Sequence, residues 1–159
     1  MAQKKTALVV GLGLIGGSVA MALRGFENYR VVGTDCGSQT RSYAAAHGVC
    51  DEVAERVEDV LGQADVVLFA MRPHGIAQQI EAFRESFKPG ALVTDVGGIK
   101  GAIMEAAQCL PDTVDFIGCH PMAGKETSGV ENAEKELFHN AHFILTPRPR
   151  STQEHVDVL

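Results

Sequence analysis

Thr6-Ala7-Leu8-Val9-Val10-Gly11-Leu12-Gly13-Leu14-Ile15-Gly16-Gly17-Ser18 decides the fold of this chain. Its first five residues form an unbroken apolar run, which predicts a strand buried on both faces. From Leu14 to Arg24 the apolar residues Ile15, Val19, Ala22 and Leu23 fall at helical spacing. Between strand and helix lies G-x-G-x-x-G, in the context its mechanism requires. Gly11 permits a tight turn, Gly13 lets the backbone approach a pyrophosphate, and Gly16 lets the helix pack closely on the strand. The helix opening at Leu14 and Ile15 then presents free N–H groups and a positive dipole end to the phosphates. Asp35 stands at the end of the next predicted strand, about twenty residues on, where a carboxylate takes the ribose 2′-hydroxyl. That acid repels a 2′-phosphate and argues for NAD over NADP, although Arg41 lies within one or two helical turns of it. The expected ligand is therefore NAD, held by Gly11, Gly13, Leu14, Ile15, Gly16 and Asp35.

Outward from this stretch, short apolar runs alternate with amphipathic ones, the pattern of βαβ units. Strands are expected at Arg30–Thr34, Ala64–Met71, Ala91–Val96, Val114–Cys119 and His142–Thr146. Helices are expected at Thr40–His47, from Pro73 to Phe87 and from Ile99 to Cys109. Gly48 suits a helix C-cap and Pro73 a first helical turn. The fold class that follows is α/β, a Rossmann-type doubly wound and mostly parallel sheet. In such sheets the loops at the strands' carboxyl ends line the ligand crevice, which adds Met71 and Arg72 as backbone contacts to the cofactor. Pro147-Arg148-Pro149-Arg150 reads as a linker, so residues 1–147 are expected to form the NAD-binding domain. Residues 148–159 are expected to be a linker and the start of a further helical domain.

The 159 residues suffice for one domain with a proper core. A formal net charge of −6, with no block of like charges, argues against nucleic-acid or anionic-membrane partners. Cys36, Cys50, Cys109 and Cys119 form no C-x-x-C pair, so neither a zinc knuckle nor a redox motif is indicated, and no metal is expected. Lys4 and Lys5 before the uncharged stretch Thr6–Leu23 imitate a signal sequence, but the glycines there have a better explanation. A cytoplasmic location is expected, with no membrane partner.

Two more loops follow predicted strands: Thr94-Asp95-Val96-Gly97-Gly98-Ile99-Lys100-Gly101, and the polar stretch from Gly118 to Gly129. The order GLGLIGGS, TDVGGIKG and GCHPMAGKETSGVENA resembles the prephenate and arogenate dehydrogenases of tyrosine biosynthesis. The resemblance runs from about Thr6 to Pro147, and His-Pro-Met-Ala-Gly followed by Ser-Gly is its most specific part. It implies NAD-dependent oxidative decarboxylation of prephenate to 4-hydroxyphenylpyruvate, or of arogenate to tyrosine. His120 is then the group that accepts the ring-hydroxyl proton as hydride departs, a task that suits an imidazole. The resemblance also places Gly98, Lys100, Lys125, Glu126 and Ser128 near the substrate. Each of the last four reads equally well as a solvated or loop-orienting residue.

Two departures from the family stand out. Many members carry a serine where this chain has Gly98, and members continue into a helical domain that makes the dimer and closes the substrate pocket. A homodimer is therefore expected only with that domain. Other readings are a Rossmann reductase of the β-hydroxyacid dehydrogenase or pyrroline-5-carboxylate reductase kind, and a non-catalytic NAD-binding module.

Overall fold

A computed structural model describes residues 3–159. β1 (Lys5–Val10) is an interior strand of a seven-stranded sheet, flanked on one side by β2 (Tyr29–Thr34) and β3 (Glu52–Val53). On its other side lie β4 (Val66–Phe69), β5 (Leu92–Asp95), β6 (Asp115–Pro121) and β7 (Phe143–Pro147), giving the order β3-β2-β1-β4-β5-β6-β7. All neighbours are parallel except β6 and β7. The chain winds outward from β1 to β3, returns, and winds the other way from β4. The reversal between β1 and β4 is the switch point at which open α/β sheets bind ligands. Val10 pairs with Thr34 on one side and Phe69 on the other, and Phe69 with Asp95, so the carboxyl ends of these strands form one rim.

The continuous apolar runs are explained by cores on both faces. Leu8 and Val10 of β1 join Phe69, Val93 and Phe116 in a core covered by α3 (Glu58–Leu61), α4 (Pro73–Ala82) and α5 (Gly101–Ala106). Val9, one residue out of phase, points to the opposite core with Leu12, Val31 and Ala44, under α1 (Leu14–Leu23) and α2 (Ser38–Ala46). Among the described residues no helix is long and apolar enough to cross a membrane.

Several boundaries differ from the sequence reading. The helix from Pro73 ends at Ala82, not Phe87. Phe83 and Phe87 keep helical spacing, but the chain turns between them, with the Ser86 N–H donating to Phe83 O (2.8 Å). Phe87 still reaches the core, edge-on to Phe69 at 6.4 Å. β3 and α3 were not expected, being two and four residues long and too short to show a period. β6 runs two residues beyond the expected Cys119, because β7 holds it through the pairs His120↔Ile144 and Pro121↔Phe143. Pro121 is tolerated there because the Met122 N–H points to β7, so position 121 faces the β5 side. β5's pairing ends at Ile117, and no N–H is needed beyond it.

The expected linker at Pro147–Arg150 is fastened to the segment between α5 and β6. Arg148 is buried and donates to Ala107 O (2.9 Å) and Val114 O (2.8 Å), and Arg150 donates to Leu110 O (3.0 Å). Beyond it α6 (Gln153–Val158) is capped by Thr152 Oγ1, which accepts from the His155 N–H. Asp115 at the start of β6 ties this end down, accepting from Ser151 Oγ (2.8 Å) and meeting His155 Nδ1 at 2.9 Å.

Candidate functional site

The glycine loop occupies the rim at the switch point, and its glycines separate into two kinds. Gly11 has φ +97°, and a Cβ on it would lie 2.3 Å from Ala70 O. A Cβ on Gly16 would lie 1.8 Å from Gly11 O and 2.9 Å from the Ala70 methyl. Both are required by the protein's own packing. A Cβ on Gly13 meets nothing within 4 Å. Its lack of a side chain keeps space open, at a helix N-terminus that no side chain caps. That is the arrangement a pyrophosphate needs. Leu14 is buried and Ile15 half-buried, so their contribution at this end of α1 is through the backbone.

Asp35 lies just past β2 and leans back over this loop. Its Oδ2 accepts from the Leu12 N–H (2.8 Å) and its Oδ1 from the Gly37 N–H (2.8 Å). The carboxylate therefore fixes the loop it stands beside, and each oxygen keeps accepting capacity for a hydroxyl. Arg41 is turned onto backbone, donating to the carbonyls of Asp35 (2.7 Å) and Cys36 (3.1 Å). At the end of β4, Met71 is half-buried against the core, whereas Arg72 is exposed at the start of α4. Ala70, which sequence reasoning did not single out, forms the floor beneath both packed glycines. Only the β1–β4 pairing reveals it.

His120 is the next-to-last residue of β6, on the strand and not in a loop as the sequence reading had it. Gly98 lies against its ring: a Cβ there would be 3.4 Å from Cε1 and 3.7 Å from Nδ1. Nδ1 is buried and has no hydrogen-bond partner among the described residues. Gly98 is thus the residue that faces this orphan nitrogen.

Behind His120 sits a clamp centred on Asp95, which sequence reasoning also missed. Asp95 is fully buried at the end of β5. Its Oδ2 accepts from the Gly97 N–H (2.8 Å) and from Lys100 Nζ, and its Oδ1 from the Cys119 N–H (3.2 Å). Lys100 Nζ also donates to Cys119 O. Asp95 takes the N–H and Lys100 the carbonyl of the residue just before His120, so the pair fixes the backbone that carries the imidazole. A signal was present: an acid ending an apolar strand needs a buried partner, and a lysine stands five residues on. Burial pushes the Cys119 thiol up to about 11, against the lowering effect of Lys100, which leaves it an inert packing group.

The rest of the polar stretch leaves His120. Lys125 Nζ pairs with Glu134 Oε2 (2.8 Å) and donates to Asn132 O. The Glu134 N–H donates to Ser18 Oγ on α1 (3.0 Å), and a Cβ on Gly17 would lie 2.9 Å from the Ala133 methyl. This segment is thus folded onto α1. Glu126 and Ser128 are exposed, and the Ser128 carbonyl accepts from Asn132 Nδ2 (2.6 Å). The structure brings together His120, Gly98 and, from behind, Lys100. Lys125 is held against the α1 side by its ion pair.

Comparison with known proteins supplies a family. Residues 19–159 match the family described as prephenate dehydrogenase, nucleotide-binding domain. A prephenate dehydrogenase from Bacillus subtilis (strain 168) is 36% identical over 160 residues, covering 99% of this chain and 43% of the relative. The crystal structure of prephenate dehydrogenase from Aquifex aeolicus in complex with hydroxyphenyl propionate and NAD+ superposes with a TM-score of 0.87 at 28% identity, over 99% of this chain and 55% of the other. Synechocystis arogenate dehydrogenase gives a TM-score of 0.87 at 32% identity, over 96% and 54%. The chain thus spans about half the length of these relatives.

Proposed function

Because the chain belongs to the prephenate dehydrogenase family, matching its nucleotide-binding domain, we propose that it binds NAD+ on the Gly11–Gly16 loop and serves the oxidative decarboxylation of prephenate, with His120 as proton acceptor. The observation that carries the reading is the meeting of His120 with Gly98 at the carboxyl rim, the same rim on which the glycine loop leaves open space at Gly13. The cradle fits a dinucleotide on its own geometry, since only at Gly13 among the three motif glycines does a missing Cβ leave empty space. Asp35 stands where a ribose hydroxyl would donate to it.

When bound, NAD+ supplies the hydride acceptor. The chain's own part is to manage the proton and hold its carrier still. The imidazole accepts the ring-hydroxyl proton as hydride leaves the same carbon. The ring carboxylate then departs as CO2, its bonding electrons complete the aromatic ring, and the phenolate oxygen takes a proton back. An imidazole can take up and return a proton in this exchange. The Asp95–Lys100 clamp keeps it in place. Prephenate is proposed over arogenate in line with the family's name. The helical part of the family, and a homodimer through it, belong to the same proposal.

NADH formation measured with prephenate and with arogenate, on this chain and on one extended by a relative's helical half, is the deciding test. Prephenate-dependent NADH formation lost in His120→Asn, with NAD+ affinity intact, is the expected result. Unchanged turnover in that variant would refute the role of His120. Calorimetry should show NAD+ bound more tightly than NADP+, a preference that narrows in Asp35→Asn. Equal affinities in the unaltered chain would refute the reading of Asp35.

A further inference from the structure

Six large apolar side chains are exposed among the described residues, and three of them gather around His120. Ile144 of β7 is directly opposite His120 in the antiparallel ladder. Paired residues share a face with their Cβ atoms about 5 Å apart, yet Ile144 is 52% exposed. Ile99 follows Gly98, which lies against the imidazole, and is 73% exposed. Met122, two residues beyond His120, continues the ladder through its N–H to His142 O and is 55% exposed. Strand alternation puts Met122 on the His120 face as well. On the other face Cys119 and Leu145 are buried and half-buried, while Phe143 at the strand's start is 42% exposed, so Ile144 is the more exposed of the two apolar residues that open β7.

An apolar ledge beside a proton acceptor has a chemical meaning. A substrate that presents only a hydroxyl to an imidazole can be any hydroxy acid. A ring that becomes aromatic also presents a flat hydrocarbon face, which gains by leaving water. Resting on the reading of His120 given above, we propose that Ile144, supported by Ile99, seats the six-membered ring of the substrate and selects carbocyclic over acyclic hydroxy acids. The antiparallel course of β7 makes this possible. Its first residues, not its last, reach the carboxyl rim, and they bring Ile144 there.

The test uses this chain saturated with NAD+, labelled at the isoleucine methyl groups and the histidine rings for NMR. The probes are hydroxyphenylpropionate and, as an acyclic hydroxy acid of equal charge, 6-hydroxyhexanoate. The ring ligand should shift the Ile144 methyl upfield together with the His120 ring signals. Ile144→Ser should weaken hydroxyphenylpropionate roughly tenfold, the scale expected for losing half an isoleucine's contact. Its effect on 6-hydroxyhexanoate and NAD+ should be negligible, and Ile144→Val should restore most of the loss. If the ring ligand moves His120 but not Ile144, or if Ile144→Ser binds it like the unaltered chain, the ledge is refuted while the role of His120 survives. If the ligand moves neither residue, the reading of His120 fails and the ledge with it.

Discussion

Replacing Gly98 by serine should stabilise this protein, and the structure says by how much. Among the described residues His120 Nδ1 is buried without a partner, a condition that costs about 1–3 kcal/mol. A Cβ on Gly98 would stand 3.7 Å from that nitrogen and 3.4 Å from Cε1, in ordinary contact. From a Cβ at that distance, a hydroxyl one bond farther on has Nδ1 within hydrogen-bonding range. Gly98 does not have the positive φ of Gly11 or Gly129, so a side chain adds no backbone strain. Two effects then add. Any side chain at a compatible glycine restricts the unfolded chain and contributes about 0.5 kcal/mol. A hydrogen bond to the orphan nitrogen contributes about 1 kcal/mol more. Gly98→Ala receives only the first, so the serine variant should exceed the alanine variant by about 1 kcal/mol, or roughly 2–4 °C in Tm. Urea unfolding followed by circular dichroism measures the difference. Long-range 15N–1H spectra of the imidazole should show one tautomer gaining at the expense of the other in the serine variant alone. Equal stability of the two variants, with unchanged ring spectra, would refute the assignment of Nδ1 as an unmet partner facing Gly98.

Gly13→Val should fold with little loss of stability, since the site is open, but bind NAD+ at least tenfold more weakly by calorimetry. Gly11→Ala should instead lower stability by several kcal/mol in urea unfolding, as its Cβ collides with Ala70 O at a φ of +97°. Lys100→Met strands a fully buried carboxylate whose partner is 18% exposed, and should cost about 3–5 kcal/mol in the same assay. Burial alone would raise the Asp115 carboxyl, but hydrogen bonds from Ser151, His155, Phe116 and Thr152 outweigh it and hold it below the usual carboxylate value. A lowered folded value means that the stabilisation is complete above the unfolded pKa of about 3.9 and is lost as pH falls through the folded value. Asp115→Asn should therefore cost about 2 kcal/mol at pH 7, and the gap to the unaltered chain should narrow in guanidinium titrations as pH falls below the usual carboxylate value.

What the sequence alone determined is what lies close along the chain. A strand, a glycine-spaced turn and a helix follow one another within twenty residues, so their order and spacing were legible, although Ala70, which a Cβ on Gly11 or Gly16 would strike, was not. The buried strands were legible because burial on both faces removes polar residues from them. Asp35 was legible as a carboxylate at a fixed distance from the loop. Its grip on the Leu12 N–H was not, because that contact depends on how β2 lies beside β1. The same limit explains the rest of the site. Lys100 and Lys125 look alike as loop lysines after strands, yet one is drawn inward by the fully buried Asp95 and the other onto Glu134 beside α1. Nothing local distinguishes them, since the partner of each is chosen by which segments the sheet brings together. Ile144 stood in an expected strand with no function attached. Only the antiparallel register of β7 on β6 puts it opposite His120, because strand pairing couples residues that are 24 positions apart in sequence.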